Sequence, residues 1–304
     1  MKNTKLITCI LATCSILLAG TMTLAQDEQE KEKPRPQRSA FESAVLIDNQ
    51  TDVINGSKTF EWLIQHRFGT VNNGSSDLWG MFAASNIRLG FSYSIIDRLS
   101  IGIGAAKIAV TNPYLDGNVK AKILQQARSG GSPINLTFYG NVVIDTRNKD
   151  NFATQVHRFS YFTELILSRR FTKSFSLQLC PQYSHFNAVD ALYKNDVFGI
   201  SLGGRLKVSS QGSIIFEWTE PLTEHPINTA EEAYQRKVGP YRNVSFGYEV
   251  STSAHAFQFF FGVYRNLLPQ YNLAYNTNEF IKEIDGSNKL SFAIGFNITR
   301  LWGF

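Results

Sequence analysis

The sequence has few cysteines, few charged residues and, beyond residue 25, no long apolar run. Charged residues make up 18%, below the roughly 25% of an average soluble domain, which argues against a coiled coil or a disordered chain. Cys9 and Cys14 lie near the N-terminus, which leaves Cys180 as the one cysteine further along. One cysteine excludes an internal disulfide, a paired-cysteine metal site and CxxC redox chemistry. The missing apolar run, about 20 residues in a membrane helix, excludes a helical membrane protein.

Aromatic residues are abundant instead. The chain contains 23 Phe and 12 Tyr among its 304 residues, and hydrophobic residues reach 43%. This composition favours an aromatic-rich β protein. The formal net charge of +5 falls to +3 without Lys2 and Lys5, and the one dense charge run mixes both signs. Nothing in this charge distribution predicts nucleic-acid binding.

The first 25 residues predict a secretory signal peptide (residues 1–25). Lys2 and Lys5 precede an apolar stretch at 6–18, and small residues then lead to Ala25. This order of charged, apolar and small residues is typical of an export signal, and its apolar part is too short to span a membrane. Residues 26–39 are charged and interrupted by proline, which predicts a disordered leader.

From residue 58 onward, apolar and polar residues alternate with a period of two, which predicts β-strands. In residues 87–95, for example, Ile, Leu, Phe, Tyr and Ile share one face, and Arg, Gly, Ser and Ser share the other. Twelve such segments are predicted, and the weakest lies at 119–126. Several reach the roughly 9–11 residues that cross a bilayer at a tilt. Strands in soluble sandwiches are usually nearer 5–6 residues.

The predicted connections alternate between long and short. The long ones fall at 70–84, 107–118, 146–157, 184–196, 221–241 and 265–288, and the short ones at 96–98, 127–132, 171–173, 209–212 and 252–255. Short periplasmic turns on one side and long extracellular loops on the other are typical of an outer-membrane barrel. We therefore predict an all-β fold, a single transmembrane antiparallel up-and-down β-barrel of about twelve strands over residues 57–304.

The two faces of each predicted strand differ as a membrane barrel requires. One face carries Phe, Ile, Leu, Val, Trp and Tyr, which tolerate lipid, whereas the other carries Ser, Asn, Gln, Gly, Glu and Arg. Closing the barrel also pairs every strand edge, which satisfies the backbone polar groups in outer-membrane lipid. Four apolar residues fall on the polar face, so we predict that apolar side chains fill part of the lumen: Phe162, Ile166, Ile215 and Phe260.

The last residues of the chain alternate and end on an aromatic side chain. Trp302 and Phe304 share one face of the final predicted strand. This ending is similar to the C-terminal sorting signal of outer-membrane barrels, so we predict that the barrel-assembly machinery binds it. Together with the export signal, it predicts a location in the cell outer membrane.

Several short segments of the sequence resemble those of one family. They are FESAVLID at 41–48, QHRFG at 65–69, SNIRLG at 85–90, SHFN at 184–187, TSAHAFQ at 252–258 and GFNITRLW at 295–302. In combination they resemble an uncharacterised, domain-of-unknown-function family of β-barrel proteins from Bacteroidota outer membranes, over residues 40–304. The resemblance implies a barrel in the outer membrane, and it carries over no catalytic residue.

Charged residues on the polar face are the candidate functional groups. Unpaired charges in a dry interior would be costly, so water or mutual pairing must satisfy them. One interpretation is a selective channel lining, in which charges filter solutes. The other is a set of salt bridges that holds a narrow barrel together, which the nearly balanced signs favour. The candidates for selectivity are Arg67, Arg88, Glu164, Arg205, Glu217 and Glu249.

Residues 40–56 come before the first predicted strand, on the periplasmic side. Phe41, Val45, Leu46 and Ile47 are too apolar to remain in water. We expect this segment to fold into the periplasmic mouth as a plug or to dock a periplasmic partner.

These features predict a narrow pore or transport channel for small polar solutes. The main alternative is a non-conducting scaffold that binds a partner through its loops or through residues 40–56. A third possibility is an outer-membrane enzyme, for which His66 has a lipid-side position without a serine and asparagine nearby in sequence. The five histidines show no paired spacing, so no metal, cofactor or catalytic residue is predicted.

Overall fold

The computed structural model describes residues 34–108, 113–225, 239–284 and 286–304. In this part of the chain, twelve antiparallel strands form a closed barrel, in which each strand pairs with the next and the first pairs with the last. The prediction of a twelve-strand up-and-down barrel is therefore confirmed. The predicted signal peptide, and the leader as far as residue 33, lie outside the described residues.

The barrel strands are numbered in chain order. They are β1 (Thr59–Thr70), β2 (Asn86–Ile96), β3 (Leu99–Ile108), β4 (Tyr114–Leu124), β5 (Asn135–Asp145), β6 (Phe159–Arg170), β7 (Phe175–Phe186), β8 (Asp196–Lys207), β9 (Gly212–Pro221), β10 (Asn243–Ser251), β11 (His255–Gly262) and β12 (Ala293–Gly303). Alternating sequence and continuous pairing on both sides explain why these segments form long strands.

Smaller elements are not part of the barrel sheet. Val45–Leu46 pairs with Asn49–Gln50 in the plug hairpin, and Ile281–Ile284 pairs with Ser287–Leu290 in the outer hairpin. The helix α1 spans Pro269–Tyr275, and its proline lies in the first turn, where no backbone N–H is needed. Three short 3₁₀ helices cover Val71–Asp77, Lys149–Asn151 and Gln155–Arg158. Within the described ranges, no helix is both long and apolar enough to cross a membrane.

Apolar side chains cover the outside of the barrel, and polar side chains fill the inside. Ile103 on β3 is 67% exposed and Phe246 on β10 is 54% exposed, whereas Asn135, Thr137 and Ser201 are fully buried. This distribution is the reverse of a soluble barrel, and it gives the wall a lipid-compatible surface. The predicted orientation of the two faces is confirmed.

The prediction of a long loop at 107–118 is wrong. Strand β4 begins at Tyr114, and Asp116 pairs with Gly104 on β3 and Val143 on β5. The sequence Asp116-Gly117-Asn118 has the composition of a turn, and it lies within the predicted long connection. The Asp116 carboxylate and the Asn118 amide face the lumen. The connection from β3 to β4 is therefore short.

The final strand also begins later than the alternation predicts. Leu290 continues the alternating pattern but lies in the outer hairpin, where it pairs with Ile281. Strand β12 starts at Ala293, and the register against β1 shifts between Ala293 and Gly295. A shift of this kind bends the strand locally, so residues before it leave the barrel wall.

Candidate functional site: a lumen closed from both ends

Residues 40–56, here called the plug segment, lie inside the barrel. The chain comes from the rim that carries the short turns, where Pro36 pairs with Ala127. It returns to the same rim, where the Lys58 amide donates to the Ser94 carbonyl at 2.8 Å. Inside, Ile47 and Asp52 have no exposed surface. Residues 34–39, part of the predicted disordered leader, are thus ordered by pairing with the turn after β4.

Apolar side chains of the plug segment pack against the lumen wall. Leu46 and Ile47 join Ile215 and Phe260 in one buried cluster. Two of the four apolar residues predicted to point inward therefore contact the plug segment. Gly203 allows the close approach, because a Cβ there would lie 2.5 Å from a methyl carbon of Leu46.

Two buried carboxylates of the wall accept hydrogen bonds from the plug backbone. Glu217 Oε2 accepts from the amides of Asp48 at 3.1 Å and Asn49 at 3.0 Å. Glu164 Oε1 accepts from the Gln50 amide at 3.2 Å. Hydrogen bonds to a charged acceptor are stronger than neutral ones, so they compensate part of the cost of burying these carboxylates.

Arg67 binds the tip of the plug hairpin. Its Nη2 donates to the Ile47 carbonyl at 3.0 Å and forms an ion pair with Asp48 at 2.8 Å. Its Nη1 donates to Asn297 Oδ1 at 3.0 Å, and its guanidinium lies 4.3 Å from the centre of the Phe260 ring. With the Arg67 side chain only 1% exposed, this set of contacts is what satisfies its charge.

Two residues outside the predicted set also hold the plug segment. Lys120 Nζ donates to the carbonyls of Ala44 at 2.9 Å and Val53 at 3.4 Å. Gln258 Nε2 donates to the Val45 carbonyl at 2.8 Å. Lys120 was missed because it lies on β4, the strand with the weakest pattern, although its alternation with Asp116 would have placed it inward.

Within the described part of the chain, Arg88 makes no hydrogen bond or ion pair to the plug segment. It binds Asp116 with two parallel hydrogen bonds, from Nε at 2.9 Å and from Nη2 at 2.6 Å, and donates to Gln65 Oε1 at 3.1 Å. This geometry is the bidentate fork that arginine forms with carboxylates. Arg88 and Asp116 therefore form a neutral pair on the wall.

Arg205 and Glu249 complete the six predicted residues. Arg205 forms ion pairs with Glu249 on the wall and with Glu42 of the plug segment, both at 3.4 Å. Glu249 also accepts from Gln258 Nε2 at 2.8 Å. All six candidates face the lumen, and four of them, Arg67, Glu164, Arg205 and Glu217, contact the plug segment directly. Whether they select solutes stays a prediction.

The other end of the lumen is closed by residues 263–280, here called the outer cap. Leu273 and Ala274 of α1 pack in a buried cluster with Phe162 and Ile166, the other two inward apolar residues. Gln270 Nε2 donates to Asn141 Oδ1 of the wall at 3.1 Å. The prediction that apolar side chains fill part of the lumen is thus confirmed at both ends.

The space left inside the barrel is small. One cavity of about 30 Å³ lies beside Glu61 and Lys120, and a second of about 20 Å³ lies beside Asp48 and Glu164. Each has room for about one or two water molecules. Neither of these two cavities has room for a solute larger than water.

His225 fastens the outer cap to the neighbouring loops. Its Nδ1 accepts from the Lys194 amide at 3.1 Å, and its Nε2 lies 2.7 Å from the Ala274 carbonyl, to which it donates as N–H. The ring packs edge-on against Tyr193, with centroids 4.9 Å apart. Burial lowers the pKa of His225 below its usual value of 6.5; the bond to the Ala274 carbonyl opposes this shift, and the Lys194 charge adds to it.

We expect the outer cap to loosen in acid. The neutral ring is favoured in the folded state, so its contribution is complete above the unfolded pKa of 6.5 and is lost as the pH falls through the lower folded pKa. A proton on Nδ1 removes the bond from Lys194. Limited proteolysis should cut the long loops several-fold faster at about pH 5 than at about pH 7.5.

His225→Gln removes this titration and should abolish the pH dependence. The matched control is His185→Gln, which removes a histidine whose Nδ1 pairs with Asp196 at 2.8 Å outside the cap. The control should keep the acid-induced increase. Equal cleavage rates at the two pH values in the unsubstituted protein would contradict the expectation.

The remaining histidines and the chain end lie apart from the lumen. His66 lies on the outer face between Phe68 and Phe296, with ring centroids 4.4 and 5.0 Å away. Within the described ranges, its Nδ1 has no hydrogen-bond partner, and no group of three or more His, Cys, Asp or Glu is arranged to hold a metal. Trp302 packs near Phe60 on the outer face, and Phe304 is 85% exposed.

The fold and the site define a transmembrane β-barrel of the outer-membrane type, closed by two segments of its own chain. The chain belongs to the DUF5777 family, described as a membrane bound beta barrel domain, which matches residues 41–302. No curated protein matches the chain. The protein is thus a β-barrel of the outer membrane.

Solved structures with a similar fold are known. The NanC porin is 9% identical, with a TM-score of 0.49, over 80% of this chain and 99% of that one. The KdgM porin in complex with disordered oligogalacturonate is 6% identical, with a TM-score of 0.46, over 80% and 98%. An outer membrane channel from Pseudomonas putida F1 is 12% identical, with a TM-score of 0.44, over 82% and 97%.

Proposed function

We propose that the protein is a gated, narrow pore for small polar solutes, and that the plug segment is its gate. The observation that carries this proposal is the binding of Arg67, Glu164, Arg205 and Glu217 to the plug segment. When the plug segment leaves, water replaces its hydrogen bonds, and a charged, polar lumen opens toward the short-turn rim. Passage of a solute also requires the outer cap to move. We further propose, from the sequence resemblance, that the pore serves the outer membrane of a Bacteroidota bacterium.

The path of the chain supports withdrawal of the plug segment. It runs in from the short-turn rim at Pro36 and returns to that rim at Lys58, so it can leave without threading through the barrel. Its polar contacts are hydrogen bonds and ion pairs that water can replace, at about 1.5–3 kcal/mol net for each hydrogen bond to a charged group. The apolar contacts of Leu46 and Ile47 favour the seated position.

Ion selectivity tests the role of the lumen charges. In a variant without the plug segment, Glu217→Gln should shift the pore toward anions, because a wall carboxylate is lost. Arg88→Gln should shift it toward cations, because Asp116 then keeps its charge without the bidentate partner. The measurement is the reversal potential in a planar bilayer under a salt gradient.

Ser245→Ala is the control for these selectivity measurements, since Ser245 is a buried neutral residue of the same wall. Its reversal potential should stay unchanged. If Glu217→Gln and Arg88→Gln also leave the potential unchanged in a conducting barrel, these residues do not select solutes.

The scaffold function has one observation in its favour, the small volume of the two internal cavities. A barrel that stays silent in every variant, although folded, would replace the pore by a scaffold that binds a periplasmic partner through the plug segment. The pore itself requires no catalytic residue. We also propose that Trp302 and Phe304 are bound by the barrel-assembly machinery, which the exposure of both side chains supports.

A further inference from the structure

The short-turn rim of the barrel carries a groove of about 970 Å³. Three parts of the chain form it: residues 37–38, the turn between β4 and β5, and the ends of β6 and β8 with the turn that follows β6. Among the described residues that line the groove there are six cationic side chains and no carboxylate: Arg38, Arg128, Arg169, Arg170, Lys173 and Lys207. We call it the basic groove.

Backbone contacts fix the shape of the basic groove. The Gln37 amide donates to the Gln126 carbonyl at 2.7 Å, and Arg170 donates to the carbonyls of Ser39 at 3.2 Å and Lys173 at 3.1 Å. Arg170 is therefore engaged in holding two segments together. The side-chain nitrogens of Lys173 and Lys207 make no hydrogen bond or ion pair within the described ranges, so their charges are available to a ligand.

The basic groove lies at the edge of the lipid-facing surface. Phe171 lines the groove and is 52% exposed, and Leu206 and Val208, beside Lys207, are 46% and 52% exposed. The Arg169 guanidinium lies 5.1 Å from the centre of the Phe171 ring. Apolar and cationic groups thus adjoin at the level where the acyl chains of a bilayer end and its headgroups begin.

The opposite part of the same rim is different. The cationic residues there are Lys58, Arg98 and Arg300. Asp97 lies next to Arg98 in the sequence. Arg300 is hydrogen-bonded to His255 at 2.6 Å. Cationic groups are therefore concentrated on the side formed by β4 to β8. A general attraction of the whole rim to the membrane would not require this asymmetry.

We propose that the basic groove binds a phosphate group, carried by a phospholipid headgroup of the adjacent leaflet. Arginine presents a planar fork of donors that fits a phosphate, and lysine adds a mobile point charge. Clusters of such residues at a membrane surface attract anionic lipids. The volume of the groove matches that of ordinary ligand sites, about 300–1,000 Å³. The proposal is independent of whether the barrel conducts.

Native mass spectrometry of the detergent-solubilised full barrel tests the proposal. The probes are phosphatidylglycerol, a diacylglycerol with the same acyl chains, inorganic phosphate and an acidic poly-glutamate peptide. The groove variant combines Arg169→Gln, Lys173→Gln and Lys207→Gln. The matched control combines Lys58→Gln, Arg98→Gln and Arg300→Gln, which removes the same number of charges from the other side of the rim. Heat-modifiable migration verifies that both variants are folded.

Phosphatidylglycerol should bind saturably, diacylglycerol should not, and the groove variant should bind about tenfold more weakly than the control. Inorganic phosphate that displaces the lipid at equal concentration would support the phosphate site and identify free phosphate as its source. Equal losses in the two variants would overturn the proposal, because general rim charge would then explain binding. Binding of the peptide without any lipid adduct would also overturn it, in favour of an acidic protein partner.

Discussion

Deletion of residues 40–56 is expected to turn a nearly silent barrel into a conducting one. The plug segment fills the lumen and engages wall charges from β1, β6, β8 and β9, including Arg67 and Glu217. If the plug segment is seated about 99% of the time and the outer cap opens independently of it, removal of the plug segment raises the open fraction about 100-fold. Single-channel recording of the refolded protein in a planar bilayer measures this change.

Deletion of residues 26–33 is the matched control, because it shortens the chain ahead of the plug segment and leaves residues 40–56 intact. It should stay as quiet as the full chain. A second variant that lacks both the plug segment and residues 266–279 of the outer cap should conduct more than either single deletion. If this double variant folds and still shows no steps, the pore function is wrong.

Replacing Arg67 by alanine should cause the largest loss of stability among single substitutions. Arg67 is buried, and Asp48 faces it at 2.8 Å. Removing one member of a buried pair leaves the other charge unpaired, which costs about 3–5 kcal/mol. The loss also removes the bonds to the Ile47 carbonyl and Asn297. Urea unfolding followed by tryptophan fluorescence measures the free energy of unfolding.

The same substitution in the variant without the plug segment separates the pair from the rest of the wall. There Asp48 is gone and water fills the lumen, so Arg67→Ala should cost less than about 1 kcal/mol. Asp48→Asn in the full chain should cost an intermediate amount, since the amide keeps a hydrogen-bond acceptor for Arg67. Equal losses in the two backgrounds would show that Arg67 stabilises the wall alone.

The barrel itself could be predicted from the sequence because its constraints are local. Each strand must alternate to face lipid and lumen, and each connection must return to the correct side, so the pattern along the chain contains both the strands and their order. The start of β4 could not be predicted in this way. The residues Asp116-Gly117-Asn118 are typical of a turn, and they form a strand because they pair with β3 and β5.

The candidate site could be predicted only in part. Inward alternation is enough to place Glu217 and Arg67 in the lumen, but it says nothing about what they bind. Glu217 accepts from the Asn243 side chain and from the backbone amides of Asp48 and Asn49, and backbone groups have no sequence signature. The sequence favoured mutual salt bridges, whereas among the described residues only three of the six candidates form ion pairs within the wall: Arg88, Arg205 and Glu249. Such long-range contacts become visible only in the folded chain.

The plug segment also ties together the two ends of the sheet. Arg67 lies on β1 and Asn297 lies on β12, and both donate to the same Ile47 carbonyl, at 3.0 and 2.8 Å. This seam is where the first and last strands meet, and it contains the register shift of β12. Withdrawal of the plug segment therefore removes two hydrogen bonds that link the first and last strands through Ile47. The proposed gating movement and the side-chain link between the first and last strands thus share one peptide oxygen, that of Ile47.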